Sequence, residues 1–294
     1  MTELLFSVLL FSGALCAGFI GALTGLGGGI IIVPLLTLGF GVPMKYALAA
    51  SLISVIGTSS GAAAAYLKEG ITNMKIGMFL QIATALGAVL GALIIVYMNV
   101  PVDIIGIIFG IVLIITAILT ARKKSDHREP VVPGTLAHRL QLYGGLPVKG
   151  VMEPYGSRSP ILGSLIMAIA GLLSGLLGVG GGVFKVLAMD NVMRLPFKVS
   201  TTTSNFMIGV TALASSIIYF AAGYVVPQIA APILLGIIIG ALIGAKTLMR
   251  INVVRLKQIF SLIVGIIALY MIYNGSTGKF SAKQENYESR TTER

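Results

Sequence analysis

Residues 4–38 read LLFSVLLFSGALCAGFIGALTGLGGGIIIVPLLTL, from Leu4 to Leu38, without one charged side chain. A straight helix of that length would reach about 50 Å at 1.5 Å per residue, well beyond a bilayer core of about 30 Å. The run is interrupted by Gly25-Leu26-Gly27-Gly28-Gly29. Consecutive glycines cost a helix about 1 kcal/mol each relative to alanine, so the spacing predicts a helix, a break and a short helix restarting at Ile30. The run 160–189 carries Gly178-Val179-Gly180-Gly181-Gly182 at the matching place, with a restart at Val183. Each is read as a broken or re-entrant membrane segment.

Further apolar runs cover 44–67, 74–97, 101–121, 196–220, 226–249 and about 252–273. The 294 residues are 56% hydrophobic and 11% charged, with a mean hydropathy of +0.97. Soluble proteins carry about 25% charged residues, so too little charge is present to cover a water-facing surface. In lipid the backbone must satisfy its own polar groups, which leaves helical bundles and closed barrels. Runs this long, without strict alternation, exclude barrel strands. The fold class is therefore all-α, a polytopic helical membrane protein. Tyr46, Tyr66, Tyr97, Tyr219, Tyr224, Tyr270 and Tyr273 stand at segment ends, as an aromatic belt would.

A shift of 153 residues aligns the two halves without a gap. Gly25/Gly178, Gly27/Gly180, Gly28/Gly181, Gly29/Gly182, Pro43/Pro196, Lys45/Lys198, Ser51/Ser204, Thr58/Thr211, Tyr66/Tyr219, Gly87/Gly240 and Gly91/Gly244 are identical pairs. Matched Pro, Lys, Tyr and triple Gly at one offset point to an internal duplication: two pseudo-symmetric repeats of about four hydrophobic segments, of the kind secondary transporters use. The domain reading is 1–121 for the first membrane repeat, 122–159 for a basic linker, 160–273 for the second repeat and 274–294 for a polar tail. If each broken segment crosses once the repeats run parallel; if each enters and returns they are inverted. Basic residues distribute almost equally well either way, and the broken segments favour inversion. Arg122, Lys123, Lys124, Arg128, Arg139, Lys149 and Arg158 put the linker in the cytoplasm by the positive-inside tendency. Pro130, Pro133, Pro147 and Pro154 mark linker and tail as connectors rather than domains. The first segment lacks a cationic start, opens with Glu3 and outruns a signal sequence, and is read as retained. Oligomeric state, a homo-oligomer included, stays open.

The net charge of +11 lacks the basic groove with interleaved aromatics that nucleic acid requires, so no nucleic-acid partner is expected. Cys16 stands alone in an apolar run, which excludes an internal disulfide and a cysteine metal cluster. Only His127 and His138 are present, both in the linker, and no paired carboxylates occur within the spans, so neither enzymatic chemistry nor a cofactor is expected. All ten carboxylates lie outside the centres of the runs. Helix N-termini restarting after Gly29 and Gly182 would present free N–H groups and partial positive charge to an anion, with Gly27, Gly28, Gly29, Gly180, Gly181 and Gly182 allowing close approach. The same glycines could instead serve tight helix crossing. Ser51, Thr203, Ser204 and Asn205 would add hydroxyl and amide contacts, though Ser and Thr also bond helix carbonyls. Lys185, directly after the second glycine run, either snorkels or attracts an anion. The partners expected are a small anionic solute and the lipid bilayer.

Around these residues the sequence resembles the TauE/SafE family of membrane permeases, described as sulfite exporters. Gly18–Gly29 leading to Val33-Pro34, Gly171–Gly182, and the Ser/Thr motifs around Ser51 and Thr203-Ser204 carry the resemblance, which covers both halves. The chain departs from the family pattern at Lys185-Val186-Leu187, which lacks a counterpart of Pro34, and in its long linker. The resemblance implies export of sulfite or an organosulfonate across the plasma membrane. Two other readings stand beside it: a membrane scaffold whose linker binds a cytoplasmic partner, and a permease for another small solute.

Overall fold

A computed structural model describes residues 3–24, 27–67, 71–98, 100–121, 129–148, 151–247 and 253–284. Gly25 of the first break, the basic cluster Arg122, Lys123, Lys124 and Arg128, and the tail beyond residue 284 lie outside them. The described residues fold as α1 (Glu3–Thr24), α2 (Gly29–Pro34), α3 (Met44–Leu67), α4 (Met74–Tyr97), α5 (Val102–Ala121), α6 (Leu136–Arg139), β1 (Gly144–Val148), β2 (Val151–Tyr155), α7 (Pro160–Leu177), α8 (Gly182–Leu187), α9 (Phe197–Ala221), α10 (Pro227–Thr247) and α11 (Val253–Ser276). Among them, seven helices are long and apolar enough to cross a membrane: α1, α3, α4, α5, α7, α9 and α10. The chain is an all-α polytopic membrane protein. Met78, Ile82, Leu86 and Leu90 form an exposed apolar stripe on α4, while Leu80, Thr84, Gly87 and Gly91 turn inward. Apolar residues outside and small or hydroxylated ones inside suit hydrocarbon surroundings, where burying Leu gains little and close backbone packing gains more.

Both glycine runs break their helices. The short helices open at Gly29 and Gly182, one residue before the expected Ile30 and Val183, and each continues into a wider π-type turn, Leu35–Gly39 and Ala188–Val192. The first broken segment folds back on itself: Gly21 abuts Gly27 and Gly28, Gly13 abuts Leu35, and the Phe6 and Phe40 rings pack edge to face at 5.3 Å. Gly181 likewise lies against Ala170 and Ser174, and Gly163 against Met193. Each short helix thus folds back along the long helix that precedes it.

Helices from the two halves pair. α1 runs parallel to α10, with Gly236, Gly240 and Gly244 set against the carbonyls of Phe11, Leu15 and Phe19. α4 runs parallel to α7, with Gly87 and Gly91 against Ala168 and Leu172, and Gly171 and Gly175 against Thr84 and Ala88. α3 and α9 are antiparallel: Tyr46 near the start of one stacks edge-on with Tyr224 just past the end of the other, and Ser59 Oγ donates to the Asn205 carbonyl. α5 and α11 are antiparallel too, Ser261 bonding Ala117 O at 2.6 Å while Gly275 abuts Asp103.

Three sequence expectations need correction. Tyr219 is no belt residue; it is fully buried, and its hydroxyl donates to Gly175 O at 3.0 Å. The described part of the linker, 129–148 and 151–159, is folded rather than a bare connector. Pro147 and Pro154 sit in a two-stranded hairpin, where edge positions tolerate proline, and Leu142, Leu146 and Tyr155 are buried against Ile76, Met167 and Met193. Asn73, which caps α4 through Ile76 N, also donates to Tyr143 O and to Tyr155 Oη at 3.0 Å. Burial pushes the Tyr155 phenol up, and the Asn73 bond partly opposes that. Glu129 binds Arg194 at 2.8 Å, so the linker caps the mouth of the second broken segment. The tail also docks: Asp103 accepts from Phe280 N at 3.1 Å, and Lys283 Nζ donates to Thr37 O at 2.9 Å, at the mouth of the first.

A Cβ on Gly171 would collide with the Thr84 carbonyl, whereas one on Gly265 meets nothing within 4 Å. Gly171→Ala is therefore expected to destabilise the protein by about 1–3 kcal/mol, the usual cost of overpacking. Gly265→Ala should leave stability unchanged or slightly raised. Thermal unfolding of the two variants in detergent checks this.

Candidate functional site

Glycine is needed at the breaks for two reasons. Gly27, Gly178, Gly180 and Gly181 have φ of +78°, +66°, +74° and +65°, a region that strains other L residues. At Gly29 the constraint is space, since a Cβ would lie 2.7 Å from Ser51 Oγ and 2.9 Å from Gly178 O. The two breaks meet there. Ser51 Oγ donates to Gly178 O at 2.7 Å and lies 3.3 Å from Gly29 O, so one hydroxyl joins both breaks. Ser204 Oγ donates to Gly182 O at 3.2 Å, and the Gly28 N–H donates to Thr58 Oγ1 at 3.3 Å. Val55 and Ile208 pack against Gly27 and Gly180 between the halves. Beside the second break, a cavity of about 10 Å³ bordered by Ile30, Phe109, Thr116, Gly181 and Gly182 has room for about one water.

Lys185 lies one turn into α8, on the linker side of the break, and is fully buried. It does not snorkel. Its Nζ donates to Thr211 Oγ1 at 2.7 Å and lies 3.5 Å from Met207 O. Among the described residues no carboxylate forms an ion pair with it. Gln81 Nε2, from α4, donates to the same Thr211 oxygen at 3.1 Å. Thr211 passes its own proton to Met207 O at 2.7 Å. Three helices, α4, α8 and α9, thus meet at one buried hydroxyl beside one buried amine.

Of the residues singled out from sequence, Gly27, Gly28, Gly29, Gly180, Gly181, Gly182, Ser51 and Ser204 come together at the breaks, and Lys185 adjoins them. The serines spend their protons on glycine carbonyls. Thr203 stands apart: it is buried toward the start of α4 and accepts from Asn73 N at 3.1 Å. Asn205 is buried with its Nδ2 unpartnered among the described residues, while its carbonyl holds Ser59. Sequence reasoning passed over Gln81 and Thr211. The signal for Gln81 was present, an amide inside the otherwise apolar 76–97 run, where it is as costly to leave unpaired as Asn205. Thr211 carried only its match to Thr58. Among the described residues no group of three His, Cys, Asp or Glu comes together to hold a metal.

The family described as sulfite exporter TauE/SafE matches residues 10–271. The probable membrane transporter protein YunE of Bacillus subtilis is 30% identical over 276 residues, covering 91% of this chain and 98% of that protein. The probable membrane transporter protein YdhB of the same organism is 28% identical over 270 residues, covering 92% and 100%. No solved structure matches the chain.

Removing the Ser51 hydroxyl leaves the Gly178 carbonyl without its side-chain donor at a depth where water cannot replace it. Ser51→Ala is expected to cost about 1–3 kcal/mol, read as a lowered unfolding temperature in detergent. Ser60→Ala, at an exposed hydroxyl that bonds only its own helix, should change it little.

Proposed function

The chain belongs to the sulfite exporter TauE/SafE family of membrane transporters, and from that premise we propose that it exports a small sulfur oxyanion, sulfite or an organosulfonate, across the plasma membrane. The observation that carries the reading is Lys185: a fully buried lysine, hydrogen-bonded but without an ion-paired carboxylate among the described residues, next to two glycine breaks that meet inside the bundle. A buried charge is costly unless neutralised, and an anionic solute supplies the missing charge. The glycine backbones of residues 27–29 and 180–182 and the polar side chains around them complete the path, with Asn205 offering an unused amide donor.

The antiparallel α3–α9 and α5–α11 pairs support two inverted repeats, with the site at their crossing. Lys75, Arg139, Arg158, Arg194 and Lys198 lie on the linker side with the basic linker itself, which supports a cytoplasmic linker. On that orientation Lys185 lies on the cytoplasmic side of the break, where an exporter receives its cargo. An inside-negative potential drives anion exit by about 2.3 kcal/mol per charge per 100 mV, so export needs no coupling carboxylate in the bundle. The tight contact of the breaks corresponds to a closed stage of the cycle, and passage requires Val55 and Ile208 to part.

Lys185→Met keeps an unbranched side chain one atom shorter and removes the amine. In inside-out vesicles it is expected to reduce sulfite uptake at least tenfold while the protein remains folded by size-exclusion chromatography. Unchanged uptake would defeat the assignment of Lys185 to the path.

A further inference from the structure

Two donors from different helices, Lys185 Nζ and Gln81 Nε2, converge on one acceptor oxygen, Thr211 Oγ1, at 2.7 and 3.1 Å. We infer that Thr211 Oγ1 occupies the place of a cargo oxygen, that Gln81 is a direct substrate contact, and that the single charge of this donor pair selects monoanionic oxyanions, sulfonates or hydrogen sulfite, over dianions. The inference rests on the reading of the chain as an exporter of sulfur oxyanions and adds to it a residue and a charge rule.

The geometry is that of a polar clamp closed on an internal substitute. Thr211 Oγ1 accepts twice and donates to Met207 O, so its bonding capacity is full. Turning about the Cα–Cβ bond of Thr211 withdraws the hydroxyl and leaves an ammonium and an amide aimed at one vacated position. An oxyanion oxygen accepts from both more strongly than a neutral hydroxyl does, because hydrogen bonds between ions are the shorter and stronger class. A second observation marks the clamp as incomplete: the other end of the same amide, Gln81 Oε1, is buried without a partner among the described residues. It can accept from a donor on the cargo, such as the proton of hydrogen sulfite. The charge rule follows from the surroundings. One ammonium neutralises one negative charge; among the described residues no other basic side chain is buried, and the Asp190 carboxylate is buried on the same segment, so the second charge of a dianion would be left unpaired where that is most costly. Thr58, which aligns with Thr211, accepts from the Gly28 N–H instead, and no cation stands beside it in the first half: Ile32 aligns with Lys185 and Leu234 with Gln81. The clamp therefore belongs to one half only and holds one cargo charge.

The test is binding to the purified full-length protein in nanodiscs, by calorimetry, with methanesulfonate as the monoanion and sulfate as the dianion. The wild type is expected to bind methanesulfonate at least tenfold tighter than sulfate. Gln81→Leu should weaken methanesulfonate about tenfold or more, the loss of a hydrogen bond to a charged group. Gln81→Glu places a carboxylate beside Lys185, keeps the site paired whether or not Leu is tolerated, and should abolish binding. Thr211→Ala removes the competing oxygen and should tighten methanesulfonate several-fold, a gain that a merely structural threonine would not give. Equal or tighter sulfate binding by the wild type overturns the charge rule. Unchanged affinity in both Gln81 variants, or weakened affinity in Thr211→Ala, overturns the clamp while leaving anion export standing. A wild type that binds neither methanesulfonate, sulfite nor sulfate overturns the export reading and the clamp together.

Discussion

The bond from Ser51 to the Gly178 carbonyl, shared with Gly29 O, is the interaction on which the centre of this protein depends. Inside a bilayer a broken helix has no water to satisfy its freed carbonyls and amides, and each unpaired group costs several kcal/mol. The breaks are tolerable only because α3 and α9 bring hydroxyls to them: Ser51 for Gly29 and Gly178, Thr58 for the Gly28 amide, Ser204 for Gly182. Those hydroxyls can reach only because glycine lets the backbones approach. A methyl group at Gly29 would push the Ser51 oxygen and the Gly178 carbonyl apart together. Glycine and serine are thus one device, and neither is useful without the other.

The same economy of small residues holds the halves together. Along α1–α10 and α4–α7, glycines sit on the carbonyls of the facing helix, turn after turn. Each pair takes one helix from each half, so neither half buries its own small-residue face. The long interface between halves fixes the frame, and the two folded-back segments converge within it. Where they leave the bundle, each mouth is covered by chain from elsewhere: the linker hairpin over the second, through Glu129 and Arg194, and the C-terminal turn over the first, through Lys283 and Thr37.

Spans and breaks were legible because both follow from single-residue physics: apolar length against bilayer thickness, and the helical cost of glycine. The position of each restart was legible to one residue. The folded linker was not, because proline and glycine read locally as breakers, and only its contacts with Ile76, Met193 and Asn73 make the hairpin worth forming. Tyr219 at a segment end reads as an interfacial anchor, yet the Gly175 carbonyl claims it for the core. Among the polar residues, Ser51 and Ser204 were found by their positions beside the breaks, but the direction in which they donate is a tertiary fact. Thr203 and Ser204 are neighbours in sequence and point to different helices, a separation that a list of polar residues cannot express. Gln81 lies far along the chain from Lys185, and only the pairing of α4 with α9 brings the amide to the ammonium.

The halves resemble one another most where they support the backbone and differ most where they handle charge. Ser51 and Ser204 each take the carbonyl of the first residue of a short helix. The threonines seven residues on from them, Thr58 and Thr211, diverge: one completes a glycine turn, and the other accepts from a lysine and a glutamine. In the second half Gly181 takes a left-handed conformation, φ +65°, where its counterpart Gly28 is helical at −71°, although both carbonyls accept from the backbone N–H four residues on. Thr211 does not bond the Gly181 N–H as Thr58 bonds that of Gly28, and it is available to Lys185. An even distribution of charge over both halves would require two buried cations facing each other across closed glycine turns, with repulsion in a low-dielectric interior. Confining the buried lysine to one half, where Thr211 bonds it and Asp190 is also buried, leaves the other half free to serve as scaffold.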